Sequence, residues 1–333
     1  MIASTPVARW SWGREAEGED ELLEFLRGVL SAFTVLRDRR LFPSHVPMKI
    51  ALPEYGATET FLFRGEFTLD SRTSPDDAES LAQEIQSAMV PGKPGGVDAD
   101  ISPGRSTMAS GTDETAFSLS AALLTGFFSL QLETFSDAWM PCDLKGRAQD
   151  DRYAANYPRL ADALQAVSVA VDTDIDPDDP TWFGKPTETG VENICDGDGS
   201  AVDVWDRFEI PQRNSVFRHA PGFDAVGYAR DASGLIRHTP VAGEQGVLGY
   251  LWASDTEAAA SFEPRASAGD AGYAAGLLWL ERLREASARG LLPSAALREF
   301  AALPSDRVAG QLQTSTATAL ESLAELREIA SHT

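Results

Sequence analysis

Carboxylates crowd one stretch of this 333-residue chain. From Asp172 to Glu209, twelve Asp and Glu residues are accompanied by only two basic residues, Lys185 and Arg207, with Trp182, Phe183, Trp205 and Phe208 interleaved. Such clustered oxygens suit cation binding, acid–base catalysis by a carboxylate pair, or recognition of a basic partner. Spacing tests the first of these. A calcium loop begun at Asp196, with Asp198 and Ser200 following, puts Ala201 where glycine is needed and Arg207 where a bidentate acid belongs. Begun at Asp172, it puts Pro177 and Phe183 at those positions, so neither alignment works.

Other catalytic signatures fare no better. The histidines are His45, His219, His238 and His332, and none sits in an HExxH motif. His219 and His238 come closest to a metal pair, on the assumption that adjacent strands carry them. There is no GxSxG elbow, no GxxxxGK[ST] loop and no GxGxxG after a strand. Cys142 and Cys195 form neither a CxxC pair nor a disulfide framework. Cys142 has only Lys145 and Arg147 nearby to favour a thiolate.

Charge narrows the class of partner. The formal net charge is -23, from 51 acidic and 28 basic residues. A charge of this sign repels nucleic acid and anionic membranes and attracts basic proteins. The densest positive group, Arg37, Arg39, Arg40 and Lys49, reads as the favourable end of a helix rather than a phosphate groove. Only four of the basic residues are lysines, and alanine is abundant, a bias of GC-rich bacterial genomes. The first residues, MIASTPVARWSWGRE, have no apolar core of a secretory signal, and the cysteine usage fits a reducing compartment, so a cytoplasmic location is expected.

The elements that must hold the acidic stretch read as a mixture of helices and strands. Residues 1–18 read as a loose arm whose Trp10 and Trp12 dock on the body, with a partner as the alternative. Helices are expected over Glu19–Arg37, from Ser74 to about Met89, and over Gln149–Val171. Strands are expected at Met48–Leu52, Thr60–Leu69 and Val97–Ile101, a polar loop at Ser102–Asp113, and an antiparallel pair at Glu114–Ser120 and Thr125–Phe135. Val216–Phe217, Ala225–Arg230, Leu235–His238 and Val247–Ala253 read as further strands. Ser254 with Glu257 has the capping-box spacing, so Ser254–Phe262 reads as a helix. Ala268–Arg289, Ser294–Leu303 and Thr316–Ile329 then read as an all-helical tail.

The expected fold is α+β: a mostly antiparallel sheet with helices packed on it and an all-helical C-terminal region. Residues 1–250 form the α+β domain, with 172–209 as a long acidic loop; 251–333 are the helical region, packed on that domain or forming a subdomain. The expected function is a non-enzymatic acidic module that binds a basic protein, as an immunity protein or antitoxin covers a basic toxin domain. Asp176, Asp178, Asp179, Trp182, Asp196, Asp198, Asp203, Trp205 and Asp206 form its binding surface, with no cofactor or metal. The competing classes are a metal-assisted hydrolase using the acidic loop with His219 or His238, and an accessory subunit that docks through its helical tail.

Overall fold

The computed structural model describes residues 1–16, 20–102, 116–210, 212, 226–244, 246–313 and 318–331. They fall into two compact units. One comprises 5–102 and 116–205; the other comprises 1–4 together with the described residues from 206 onward.

The first unit is built on an antiparallel sheet of seven strands: β1 (Ala8–Glu15), β2 (Val46–Glu54), β3 (Ala57–Leu69), β4 (Gly96–Ile101), β5 (Phe117–Leu124), β6 (Phe127–Thr134) and β7 (Asp176–Pro177). Their spatial order is β3-β2-β4-β5-β6-β1-β7. Within the expected loose arm, Ala8–Glu15 is therefore a strand of the sheet. Ala8, Trp10 and Trp12 alternate with Arg9, Ser11 and Gly13, and β1 lies between β6 and β7 with both indoles buried. The Trp10 indole N–H donates to the Thr187 carbonyl at 2.8 Å, and that of Trp12 to Ser168 Oγ at 2.8 Å. Period-two burial runs through β2, β4, β5 and β6 as well, so one face of the sheet is apolar and the other polar.

Among the described residues, three α-helices accompany this sheet: α1 (Glu21–Asp38), α2 (Ala78–Ala88) and α3 (Asp150–Val171). Asp20 caps α1 by accepting from the Leu23 N–H at 3.1 Å. Phe25, Leu26, Val29, Leu30 and Phe33 of α1 are buried, and the Phe25 ring meets that of Phe128 edge-on. Gly28 lets α1 come this close, because a Cβ there would lie 2.9 Å from the Phe128 ring. Ser74 and Asp77 form the capping box ahead of α2, where Ala78, Ala82 and Ile85 are buried; Leu81 and Met89 are only half-buried.

In the second unit, β10 (Ile236–Gly243), β11 (Gly246–Ser254) and β12 (Ala259–Pro264) pair antiparallel, after the small hairpin of β8 (Gly184–Thr187) and β9 (Gly190–Asn193) that belongs to the first. β13 (Gln311–Leu312) and β14 (Thr318–Leu320) also pair with β10, completing a five-stranded sheet. α4 (Gly269–Ala288) and α5 (Pro293–Phe300) share a core with one face of it, and α6 (Leu323–Ser331) with the other.

The α+β mixture and the large antiparallel sheet stand; the all-helical C-terminal region does not. Ser254–Phe262 is the end of β11, a turn and the start of β12, not a helix. The Glu257 side chain serves the neighbouring turn, accepting from the N–H groups of Ser233 (3.0 Å) and Gly234 (2.8 Å). All six residues of β12 are buried, so alternation gives no signal there. Thr318–Leu320 is likewise a strand, leaving only the later part of Thr316–Ile329 helical. Val216–Phe217 lies outside the described residues, and within 226–230 only Ala229 makes a β-bridge.

Candidate functional site

The acidic stretch is not one long loop. Asp172 is the left-handed C-cap of α3, with φ of 54°. The chain then turns back along the sheet edge, where Asp176 and Pro177 pair with Ser11 and Trp10 as β7. Asp178 is bound into this edge. Its carboxylate accepts from Ser11 Oγ at 2.8 Å and from Gln131 Nε2 at 3.3 Å.

Asp176, Asp178, Asp179 and Trp182 together line one groove of about 720 Å³, with Arg9, Thr5 and Pro180 among its walls. Arg9 is held at 2.7 Å by Glu133, so it offsets little of the groove's acidity. Asp176 and Asp179 are exposed, and Trp182 shows 62% of its surface to solvent. The next residue, Phe183, is buried and fixes the local backbone; Thr181 Oγ1 accepts from the N–H groups of Phe183 and Gly184.

The other expected residues are not part of this groove. Asp196 and Asp198 belong to a tight turn after β9, closed by the Asp196 N–H donating to the Ser200 carbonyl. Asp198 accepts from both the N–H and the hydroxyl of Ser200, and these bonds hold its carboxyl below the usual range. Those oxygens close an Asx turn, the same motif that made the segment resemble the opening of a calcium loop. Asp203 is half-buried. Trp205 is fully buried, which corrects its assignment as a partner anchor: an indole with no exposed surface reaches no partner in this fold. It opens a π-helical turn, Trp205–Glu209, on which Asp206 is exposed and Glu209 is buried. Glu209 accepts from the Ser4 N–H and hydroxyl at 3.0–3.1 Å.

A second feature adjoins the groove and was missed by sequence reasoning. On the sheet face away from the apolar core, one cross-strand row passes through all seven strands: Glu66, Lys49, Asp100, Ser120, Gln131, Ser11 and Asp176. Cross-strand partners share a face, so this row is polar from edge to edge. The next row, from Arg64 through Ala51, Asp98, Ala122 and Ser129 to Gly13, has mostly small side chains. The result is a trough of about 900 Å³ with charge on one wall and small residues on its floor.

Within it, partial loss of solvent raises the Asp98 and Asp100 carboxyls above their usual values, while Lys49 pulls Asp100 part of the way back. Arg64 stacks 4.2 Å from the Phe61 ring centroid. The signal was present in the outward positions of Val97–Ile101 (VDADI), but their convergence with Lys49 and Arg64 follows only from strand order.

The remaining chemical candidates sit elsewhere. His238 lies in the second unit on β10, 94% buried on a core face that includes α6. Its ring packs edge-on to Tyr250, and no described residue hydrogen-bonds its Nδ1. Burial lowers its pKa. His219 and His332 lie outside the described residues. Burial and the neighbouring Asp143 raise the Cys142 thiol, the opposite of what a thiolate nucleophile requires. Among the described residues, no group of three His, Cys, Asp or Glu side chains is placed to hold a metal ion, and no helix is long and apolar enough to cross a membrane. Comparison with known protein families, curated proteins and solved structures gave no match.

Proposed function

We propose that the chain is an acidic protein-binding module, and that it receives a basic partner at the β7 edge of the seven-stranded sheet. One observation carries the reading: Trp182 exposes 62% of its surface in the same groove as Asp176, Asp178 and Asp179. A large exposed aromatic beside carboxylates supplies both parts of a recognition surface. The indole is the area desolvated on binding, and the acids steer the approach. The net charge of -23 extends that steering over the whole molecule. Neutralisation of a basic toxin domain, as by an immunity protein or antitoxin, is one task such a surface performs.

The test is capture by the tagged full-length chain from its native cell, at low and at high salt, followed by affinity measurements on the captured protein. A basic partner released by salt, whose affinity falls in Trp182→Ala and in an Asp176→Asn/Asp179→Asn variant, supports the proposal. Asp196→Asn with Asp198→Asn should leave binding unchanged, since these residues lie outside the groove. Full affinity in Trp182→Ala would sink it.

The trough supports a second reading, a site for a small polar ligand. Its size is that of ligand sites in general, and raised carboxyls gather at such places. Asp98→Asn and Asp100→Asn separate the two readings: they disturb a trough ligand and spare a partner held at the β7 edge.

A further inference from the structure

We infer that the second unit holds a binding pocket for a small organic anion, a site independent of the acidic groove. A cavity of about 420 Å³ lies on the sheet face whose core includes α4 and α5, lined in part by Arg237 and Thr239 of β10, Ser294, Leu297 and Arg298 of α5, and Leu312 of β13. No carboxylate among the described residues lines it. This is unexpected in a chain with 51 acidic and 28 basic residues.

Three other arginines of the unit are spent on acids: Arg289 on Glu299, Arg284 on Glu281, and Arg327 on Asp231 and Glu263, while Arg282 lies over the Trp279 ring. Arg237 and Arg298 make no ion pair with any described residue. Asp255, the acid bonded to Ser294, directs one oxygen to the Ser294 N–H (2.8 Å) and the other to its hydroxyl (2.6 Å). Both of its oxygens are thus engaged at the first turn of α5, and it makes no ion pair with either arginine.

Two arginines that line one hollow match an oxyanion, which a guanidinium can bind through paired N–H donors. The Thr239 hydroxyl, hydrogen-bonded to no described residue, offers a further donor from the sheet side. Leu297 and Leu312, both buried, supply an apolar wall. The ligand class that fits is an anionic head, phosphate or carboxylate, on a compact apolar body. A volume of about 420 Å³ falls within the usual range for such molecules.

Register explains how the cations reach one hollow. Arg237 and Thr239 are two apart on β10 and share its face toward α5, whereas Ile236 and His238 turn to the opposite face. Arg298 stands one helical turn after Ser294 and meets them from the other wall.

The experiment titrates the full-length chain with phenyl phosphate and with benzoate, using benzyl alcohol as the neutral control, by calorimetry at near-physiological salt. The expected result is saturable binding of one or both anions and none of the alcohol; the tighter anion identifies the head group. Arg237→Gln and Arg298→Gln, both at exposed positions, should each weaken binding about tenfold or more while leaving the circular dichroism unchanged. Arg298→Lys should restore only part of the affinity, since an ammonium lacks the paired geometry. No saturable binding of either anion, equal binding of benzyl alcohol, or full affinity in either Gln variant would overturn the inference.

Discussion

Trp12 tests the placement of the N-terminal residues inside the sheet. Its side chain is 1% exposed and its indole N–H donates to Ser168 Oγ on α3 at 2.8 Å. A buried tryptophan removes roughly 150–250 Å² from water, which at about 25 cal/mol per Å² is about 4–6 kcal/mol as an upper bound. Replacement by alanine should therefore cost about 3–5 kcal/mol, a large share of the roughly 5–15 kcal/mol that holds a typical domain together. Ser168→Ala removes only the acceptor and strands the indole N–H, for about 1–3 kcal/mol. Trp12→Phe removes the donor but keeps most of the apolar area. In the double variant Trp12→Phe/Ser168→Ala nothing is left unpaired, so its cost should fall below the sum of the two single costs. Urea unfolding followed by far-ultraviolet circular dichroism gives each value, and hydrogen exchange reports on the β1 amides. A loss below about 1 kcal/mol for Trp12→Ala, together with unprotected β1 amides, would show that Ala8–Glu15 is an arm after all and refute the topology.

Three further outcomes follow from individual side chains. The carboxyls of Asp98 and Asp100 are raised by desolvation, so the folded state holds their protons more tightly than the unfolded chain. Their contribution is most favourable below the ordinary value of about 4 and is lost as pH rises through the raised folded values. Asp98→Asn should therefore gain stability over wild type across that window and keep the gain at neutral pH; chemical denaturation at a series of pH values checks this, and a gain confined to acid pH would reverse the sign. His238 behaves in the opposite sense, because burial lowers its pKa. Its contribution is intact above the ordinary value of about 6.5 and is lost as pH falls toward the lowered folded value, so His238→Gln should flatten the decline in stability on mild acidification. Asp137 is a fully buried carboxylate that accepts from the Leu144 N–H at 3.1 Å and from Arg152 Nη1 at 3.2 Å. Asp137→Ala should cost about 2–4 kcal/mol, the lower part of the range for a broken buried pair because Arg152 is partly exposed and can rehydrate; a melting temperature equal to wild type would show that the carboxylate is dispensable.

The first unit was largely legible where one face of an element is buried. α1, α3, β2–β6 and the hairpin joining β5 to β6 follow from periodicity within a few residues, because a single apolar face imposes a period that composition cannot hide. β1 carried the same alternation in Arg9, Trp10, Ser11 and Trp12, but its two tryptophans were expected to dock as a loose arm, and nothing local shows that β6 and β7 enclose it. Reading failed where burial is two-sided or where a side chain serves a neighbouring turn. β12 has no polar face, and Glu257 has the spacing of a capping acid while bonding a turn more than twenty residues earlier.

The candidate site divides along the same line. Sequence alone determined the charge, the absence of recognisable catalytic motifs and the crowding of acids between Asp172 and Glu209, since these are properties of composition and spacing. Tertiary structure decided which acids act together. It gathered Asp176, Asp178 and Asp179 with an exposed Trp182, closed Asp198 onto its own turn, and buried Trp205. It also assembled Lys49, Arg64, Asp98 and Asp100 into one trough, and Arg237 with Arg298 around one cavity. Strand order and packing set those distances, and both arise from pairings between residues far apart in the chain, which no local pattern of residue types specifies.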